Sequence, residues 1–218
     1  MYTPVEMKRS MKYGNNYWEA YSPKIGRNVR FFSDLEYDNW LHIETNPEIV
    51  DFCEQPLKIQ VIFEGKPVES IFDMWVQYRD NTEEFMEVKY NAELIGESSK
   101  SLRSKRQIQV QKKWCTEHQY NYSVKTDMEI RASLTHLNNL KQIIGQVRTM
   151  PQVNTNEFSP IVNLLSECML SIAALIELTD YTVTRMIQII CFLVYKGICR
   201  IVNQELELCL ETEVELIA

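Results

Sequence analysis

No apolar run in this chain exceeds the seven residues from Ile189 to Tyr195, far short of the roughly 20 that a membrane-spanning helix needs. The six cysteines form no CxxC pair and no Cys/His ligand spacing, which argues against a zinc site. Cys168, Cys191 and Cys199 sit in apolar patterns, where a free thiol behaves as a small buried hydrophobe. Reduced thiols in a soluble, cytoplasmic protein are the expectation. The opening Met1-Tyr2-Thr3-Pro4-Val5-Glu6 shows no secretory signal pattern. At 218 residues the chain is long enough for one large domain or two small ones, with a sizeable core.

An excess of positive charge is also lacking, since the net charge is -7. That total conceals a pattern. Residues 1–30 carry six basic and two acidic side chains, residues 31–94 four basic and fifteen acidic, and residues 95–125 seven basic and two acidic. Two basic segments therefore flank an acidic one, the distribution expected of a phosphate-binding rim around a carboxylate centre. Residues 150–218 are acidic again, with three basic against nine acidic groups. A protein partner suits that third of the chain better than DNA.

The acidic segment holds the most informative feature. Asp73 and Glu87 each lie on a run with strand character, and Lys89 follows Glu87 by two residues. Alternate side chains of a strand share a face, so Glu87 and Lys89 project together and Val88 projects opposite. Asp73 on one strand and Glu87 on its hairpin partner can converge on one divalent cation. Hard carboxylate oxygens plus the Val88 carbonyl suit Mg²⁺, with Mn²⁺ able to substitute. A neighbouring lysine amine can orient a water or balance charge as a pentavalent phosphate forms. The pattern reads as a nuclease. Its bland alternative is a solvated hairpin with a cross-strand ion pair.

Around it, residues 1–30 mix basic and aromatic groups (Lys8, Arg9, Lys12, Tyr13, Tyr17, Trp18) with little periodicity. They read as a nucleic-acid arm or as a strap packed on the domain. Ser33 and Glu36 form a capping box opening a helix. Spacing favours a capping role for Glu36 over a third metal ligand. Strands are expected at 57–63, 68–77 and 83–90, joined as an antiparallel meander with turns at 65–67 and 79–82. Residues 98–118 read as a cationic helix with Leu102, Ile108, Trp114 and Cys115 as its apolar members. Lys100, Arg103, Arg106, Lys112 and Lys113 are its candidate DNA contacts, Arg103, Arg106 and Gln107 sharing one face; a solvated surface helix is the alternative. A strand at 120–125 precedes a helix from Thr126 to about Gly145.

Residues 148–156 read as a linker, dividing a domain at 1–150 from a smaller one at 157–218. In the latter, Ser159 and Pro160 open a first helix, 171–178 form a second, and Val183–Lys196 a third. Two strands follow, at 198–203 and 213–217. This is the winged-helix order. The third helix offers only Arg185, Gln188 and Lys196 for polar contacts, so a partner-binding module is expected.

Arg27, Phe31, Ser33, Leu35 and Glu36, then Glu54-Gln55-Pro56, Asp73, Glu87-Val88-Lys89, the basic helix with Gln107 and Trp114, and Thr126-Asp127…Glu129-Ile130-Arg131 occur in that order. The series resembles the TnsA endonuclease subunit of heteromeric cut-and-paste transposons. The resemblance implies an α/β (α+β) restriction-endonuclease-like domain with a central mixed sheet, followed by a winged helix. It implies that Glu36, Asp73 and Glu87 are the acidic active-site positions and Lys89 the catalytic lysine, with Glu36 both capping and facing the metal. The activity implied is Mg²⁺-dependent cleavage of double-stranded DNA at the transposon's 5′ ends. A DDE-type transposase (TnsB-like) and an AAA+ regulator (TnsC-like), the latter at the C-terminal domain, are the implied partners. A stand-alone restriction- or repair-type nuclease and an idle scaffold bridging DNA and an ATPase are the alternatives. Intact Asp73, Glu87 and Lys89 speak against the scaffold.

Overall fold

The computed structural model describes residues 2–7, 16–150 and 154–217. Two compact units emerge: Met1–Ile43 with Glu48–Ala132, and Glu44–Pro47 with Ser133–Ala218. Among the described residues, no helix is long and apolar enough to cross a membrane.

The first unit opens with a hairpin, β1 (Trp18–Ser22) and β2 (Arg27–Phe31), paired antiparallel. Sequence reading expects an irregular lead-in here. Val29 and Phe31 alternate inward, and Gly26 at φ +65° makes the turn, a conformation glycine adopts without steric cost. Lys8, Arg9, Lys12 and Tyr13 lie outside the described residues. Helix α1 (Asp34–Thr45) follows.

Strands β3 (Ile49–Glu54), β6 (Met74–Tyr78), β7 (Glu83–Lys89) and β8 (Asn121–Thr126) form a four-stranded sheet in the order β3-β6-β7-β8. The first two pairings are antiparallel, and β7·β8 is parallel. Parallel neighbours need a long crossover, which α2 (Asn91–Ile95) and α3 (Ser99–Glu117) supply. The expected mixed sheet is present.

The expected meander is not. The single strand read at 68–77 is two strands in different sheets. β5 (Lys66–Ile71) pairs only with β4 (Lys58–Phe63), while β6 enters the central sheet. The chain changes sheets at Phe72–Asp73, beside a second change at Gln55–Leu57, and Gln55 N–H to Asp73 O (3.0 Å) holds the two crossings together. The β4–β5 turn is Glu64–Gly65, both at positive φ. That is the pair of left-handed residues a tight hairpin requires, and Pro67 lies inside β5.

Side chains on β7 divide between two layers. Phe85 packs with Val110 and Cys115 of α3, together with Phe72 and Trp75. Val88 faces the other way, onto Leu35 of α1 and Ile130 of α4 (Asp127–Ile130). The buried stripe of α3 is Ser101, Ser104, Val110, Gln111 and Cys115, whereas Leu102 is exposed.

In the second unit, α5 (Leu134–Thr149) starts afresh after Ser133, whose side chain caps it, so the helix expected from Thr126 to Gly145 is broken in two. Ile143 of α5 belongs to the core of this unit. The segment expected to separate the domains thus lies within the second unit, and the division falls after Ala132. Next come α6 (Thr155–Glu167), β9 (Leu170–Ser171), α7 (Ile172–Glu177), α8 (Val183–Tyr195), β10 (Cys199–Ile201) and β11 (Glu213–Leu216). Asn154 and Glu157 form the capping box of α6, and Pro160 lies inside that helix rather than at its start. The sheet is antiparallel in the order β10-β11-β9. Helix α8 is central: Met186, Ile189, Ile190, Cys191, Leu193 and Tyr195 are all buried.

After α8, Gly197 takes φ +70°, and a Cβ there would lie 2.6 Å from Pro47 Cβ. Gly197→Ala therefore combines left-handed strain with a backbone-anchored clash. It should destabilise the protein by roughly 2 kcal/mol or more, measured as a lower urea midpoint at unchanged slope.

Candidate active site

The end of β7 brings the sequence motif together. Glu87 is fully buried, and Asp73, between β5 and β6, is 8% exposed. Neither carboxylate is the solvated hairpin group of the bland reading. Asp73 Oδ2 accepts the Val88 N–H at 2.9 Å, tying the residue before β6 to the main chain of β7. Lys89 donates from its ammonium to Glu87 Oε1, and Gln111 Nε2 donates to Glu87 Oε2 at 2.7 Å.

Two buried carboxylates thus share one ammonium. Burial raises the Glu87 pKa and Asp73 raises it further, against the pull of Lys89 and Gln111. Burial works against the Lys89 charge, but Glu87 and Asp73 outweigh it and raise that amine's pKa. The proton stays on Lys89, and the excess negative charge is felt at Glu87. Opposite charges close by favour ionisation, whereas like charges and desolvation oppose it.

Two pockets meet at this point. One, of about 390 Å³, is lined by Glu36, Asp73, Val88, Lys89, Glu93 and Lys100 among others. Another, of about 620 Å³, includes Gln55, Asp73, Glu87, Lys89, Arg103 and Arg106 in its wall. Asp73 and Lys89 belong to both. Glu36 occupies the capping position read from sequence and also reaches the first pocket. Its N–H donates to Ser33 Oγ (3.1 Å), and its Oε2 accepts from Phe32 N–H (3.1 Å) and from Gln55 Nε2 (3.4 Å). Glu36, Asp73 and Glu87 do not converge as one ligand cluster: no group of three Asp, Glu, His or Cys placed to hold an ion occurs among the described residues.

The cations of α3 separate into two sets. Lys100 lies at the first pocket, paired with Glu93 (2.8 Å). Arg103 and Arg106 line the second, with Gln107. Lys112 is exposed and lines neither, and Lys113 donates to Ile62 O at 3.0 Å, away from the carboxylates. Sequence reading missed Gln111 and Glu93. Gln111 was detectable: it interrupts the buried stripe of α3 between Val110 and Cys115, where an amide needs a partner.

Residues 46–127 match the family described as TnsA-like endonuclease N terminal. This segment is a TnsA-like endonuclease domain. It contains Asp73, Glu87, Val88, Lys89 and the whole of α3, and Glu36 lies before it. No curated protein matches the chain. The match is to this segment, and the mixed sheet that the segment contributes to fits a restriction-endonuclease-like fold.

The contacts of Glu87 have a measurable consequence. Glu87→Gln leaves Lys89 facing one carboxylate, Asp73, instead of two. The glutamine offers one oxygen where Lys89 Nζ and Gln111 Nε2 both donate, so a buried donor is left unmet at a cost of about 1–3 kcal/mol, and the variant should melt lower by about 2–4 °C for each kcal/mol. Scanning calorimetry without added metal checks this.

Proposed function

We propose that this chain is the Mg²⁺-dependent DNA endonuclease subunit of a heteromeric transposase, cleaving the 5′ ends of the transposon. The observation that carries this reading is the meeting of Asp73, Glu87 and Lys89 between two pockets, one walled by Arg103 and Arg106, within a TnsA-like domain.

The donor chemistry fits a hard divalent cation: the carboxylates of Asp73 and Glu87 and the Val88 carbonyl would hold it, with Glu36, outside their cluster, as a supporting acid on the wall of the first pocket. Such an ion, when bound, polarises the scissile phosphate and acidifies a water. Lys89 keeps its proton, orients the attacking water and offsets charge on the phosphate oxygens. As the water oxygen bonds to phosphorus, its proton passes to solvent and the bond to the leaving sugar oxygen breaks, that oxygen taking a proton from solvent. Arg103 and Arg106, with Lys100, hold the flanking phosphates; Lys112 and Lys113 extend that track along α3.

The second unit has the helix and strand order of a winged helix, and we assign it to partner binding. Buried residues fill α8, and Arg185 is held by Glu157 (3.0 Å), so this helix has little to offer base edges. The acidic excess of residues 150–218 disfavours phosphates. The resemblance to TnsA supports an AAA+ regulator as the partner there and a DDE transposase as the subunit that cuts and joins the 3′ ends.

The test is nicking of transposon-end DNA with Mg²⁺, with and without the partner transposase. Asp73→Asn keeps an acceptor for the Val88 N–H, which alanine would leave unsatisfied at a cost of about 1–3 kcal/mol. It should stay folded, abolish 5′ cleavage and give 3′-joined, cointegrate-like products. Full cleavage by Asp73→Asn would remove the site assignment.

Arg103→Ala with Arg106→Ala should weaken DNA binding and lower its log–log salt slope by about 0.9 for each phosphate left without its arginine. An unchanged slope would mean that this face of α3 does not meet the DNA backbone.

A further inference from the structure

We propose that Gln111 is a positioning residue for the nuclease centre, fixing Glu87 and the approach to Asp73 from behind. The inference rests on the nuclease reading of the site. Gln111 is fully buried at the middle of α3 and lines neither of the two pockets. A primary amide in such a place is tolerated only when its hydrogen-bonding groups are met.

They are met by three strands. Gln111 Nε2 lies 2.7 Å from Glu87 Oε2 on β7, 3.0 Å from Ser70 Oγ and 3.2 Å from Ile71 O on β5. Its Oε1 accepts from the Tyr122 hydroxyl on β8 at 2.8 Å. The amide cannot turn over, because a flipped group would press its oxygen against the Glu87 carboxylate. One side chain therefore fixes the carboxylate of Glu87 and the strand end that delivers Asp73 two residues later. With Oε2 held by Gln111, Glu87 presents Oε1 on the side of Lys89.

Residues that hold a metal-ligating carboxylate from behind tune affinity without touching the ion, typically by 10–100-fold. The experiment measures Mn²⁺ binding to the full chain without DNA, by the electron paramagnetic resonance signal of free Mn²⁺, alongside circular dichroism and melting. Gln111→Leu should weaken Mn²⁺ binding by about tenfold or more. Tyr122→Phe, which removes only the group fixing the amide's orientation, should weaken it less but in the same direction. Folded variants that both bind Mn²⁺ like the wild type would overturn the inference and leave the nuclease reading standing. If Gln111→Leu does not fold, Tyr122→Phe decides alone, an unchanged affinity overturning the inference. A wild-type chain that binds no Mn²⁺ sinks the nuclease reading and this inference with it.

Discussion

Burying two carboxylates against one ammonium is the constraint on which the first unit is built. Asp73 and Glu87 lie almost wholly out of water, and Coulomb repulsion between like charges is strongest where the dielectric is low. Such a pair persists only where the surrounding frame is rigid enough to hold it. Here the frame is backbone: Asp73 is anchored to the Val88 N–H, and its own carbonyl to the Gln55 N–H. The double sheet crossing at Gln55–Leu57 and Phe72–Asp73 is thus more than a connection. It delivers Asp73 to the end of β7 at fixed height, at a point where an uninterrupted strand would carry it past.

The same frame explains why several buried polar groups gather here. Glu54 accepts both guanidinium arms of Arg27 (2.7 Å each), the bidentate geometry that makes such pairs strong. Gln55 reaches Glu36, and Gln111 reaches Glu87. Each of these polar pairs joins separate segments of the chain. Apolar packing specifies position loosely, whereas a satisfied polar network admits few arrangements. The site accordingly has its carboxylates oriented by amide, ammonium and main-chain groups.

Much of this was legible in the sequence, because strand alternation and capping are local. Placing Glu87 and Lys89 opposite Val88 needs only a period of two, and the structure puts Glu87 toward α3 and Val88 toward α1. The cap at Ser33 and Glu36 needs only their spacing. What was not legible depends on long-range pairing. Nothing in the run 68–77 marks Phe72 as the place where the chain leaves one sheet for another, since both halves have strand composition. The split of the helix expected from Thr126 is similar: Ser133 is a competent cap, but whether a cap is used depends on what the next helix packs against. Pro160 misled for the opposite reason. A proline near a serine signals a helix start, yet the Asn154–Glu157 capping box one and a half turns earlier supplies a stronger one.

Glu36 shows how a capping role and a site role can reside in one side chain. As the third residue of α1 its carboxylate turns back to the Phe32 N–H, which fixes its rotamer before any ligand is present. That same turn brings it to the wall of the pocket shared by Asp73 and Lys89. Its oxygens are met by the Phe32 N–H, the Ser33 hydroxyl and the Gln55 amide, whereas Glu87, fully buried beside Asp73, is pushed toward the protonated form. The two acids differ in environment for that reason: Glu36 is buried among main-chain and side-chain donors, and Glu87 is buried beside a second carboxylate. The burial of Glu87 beside Asp73 is offset by Lys89 and by the Gln111 amide, the two donors that reach its carboxylate.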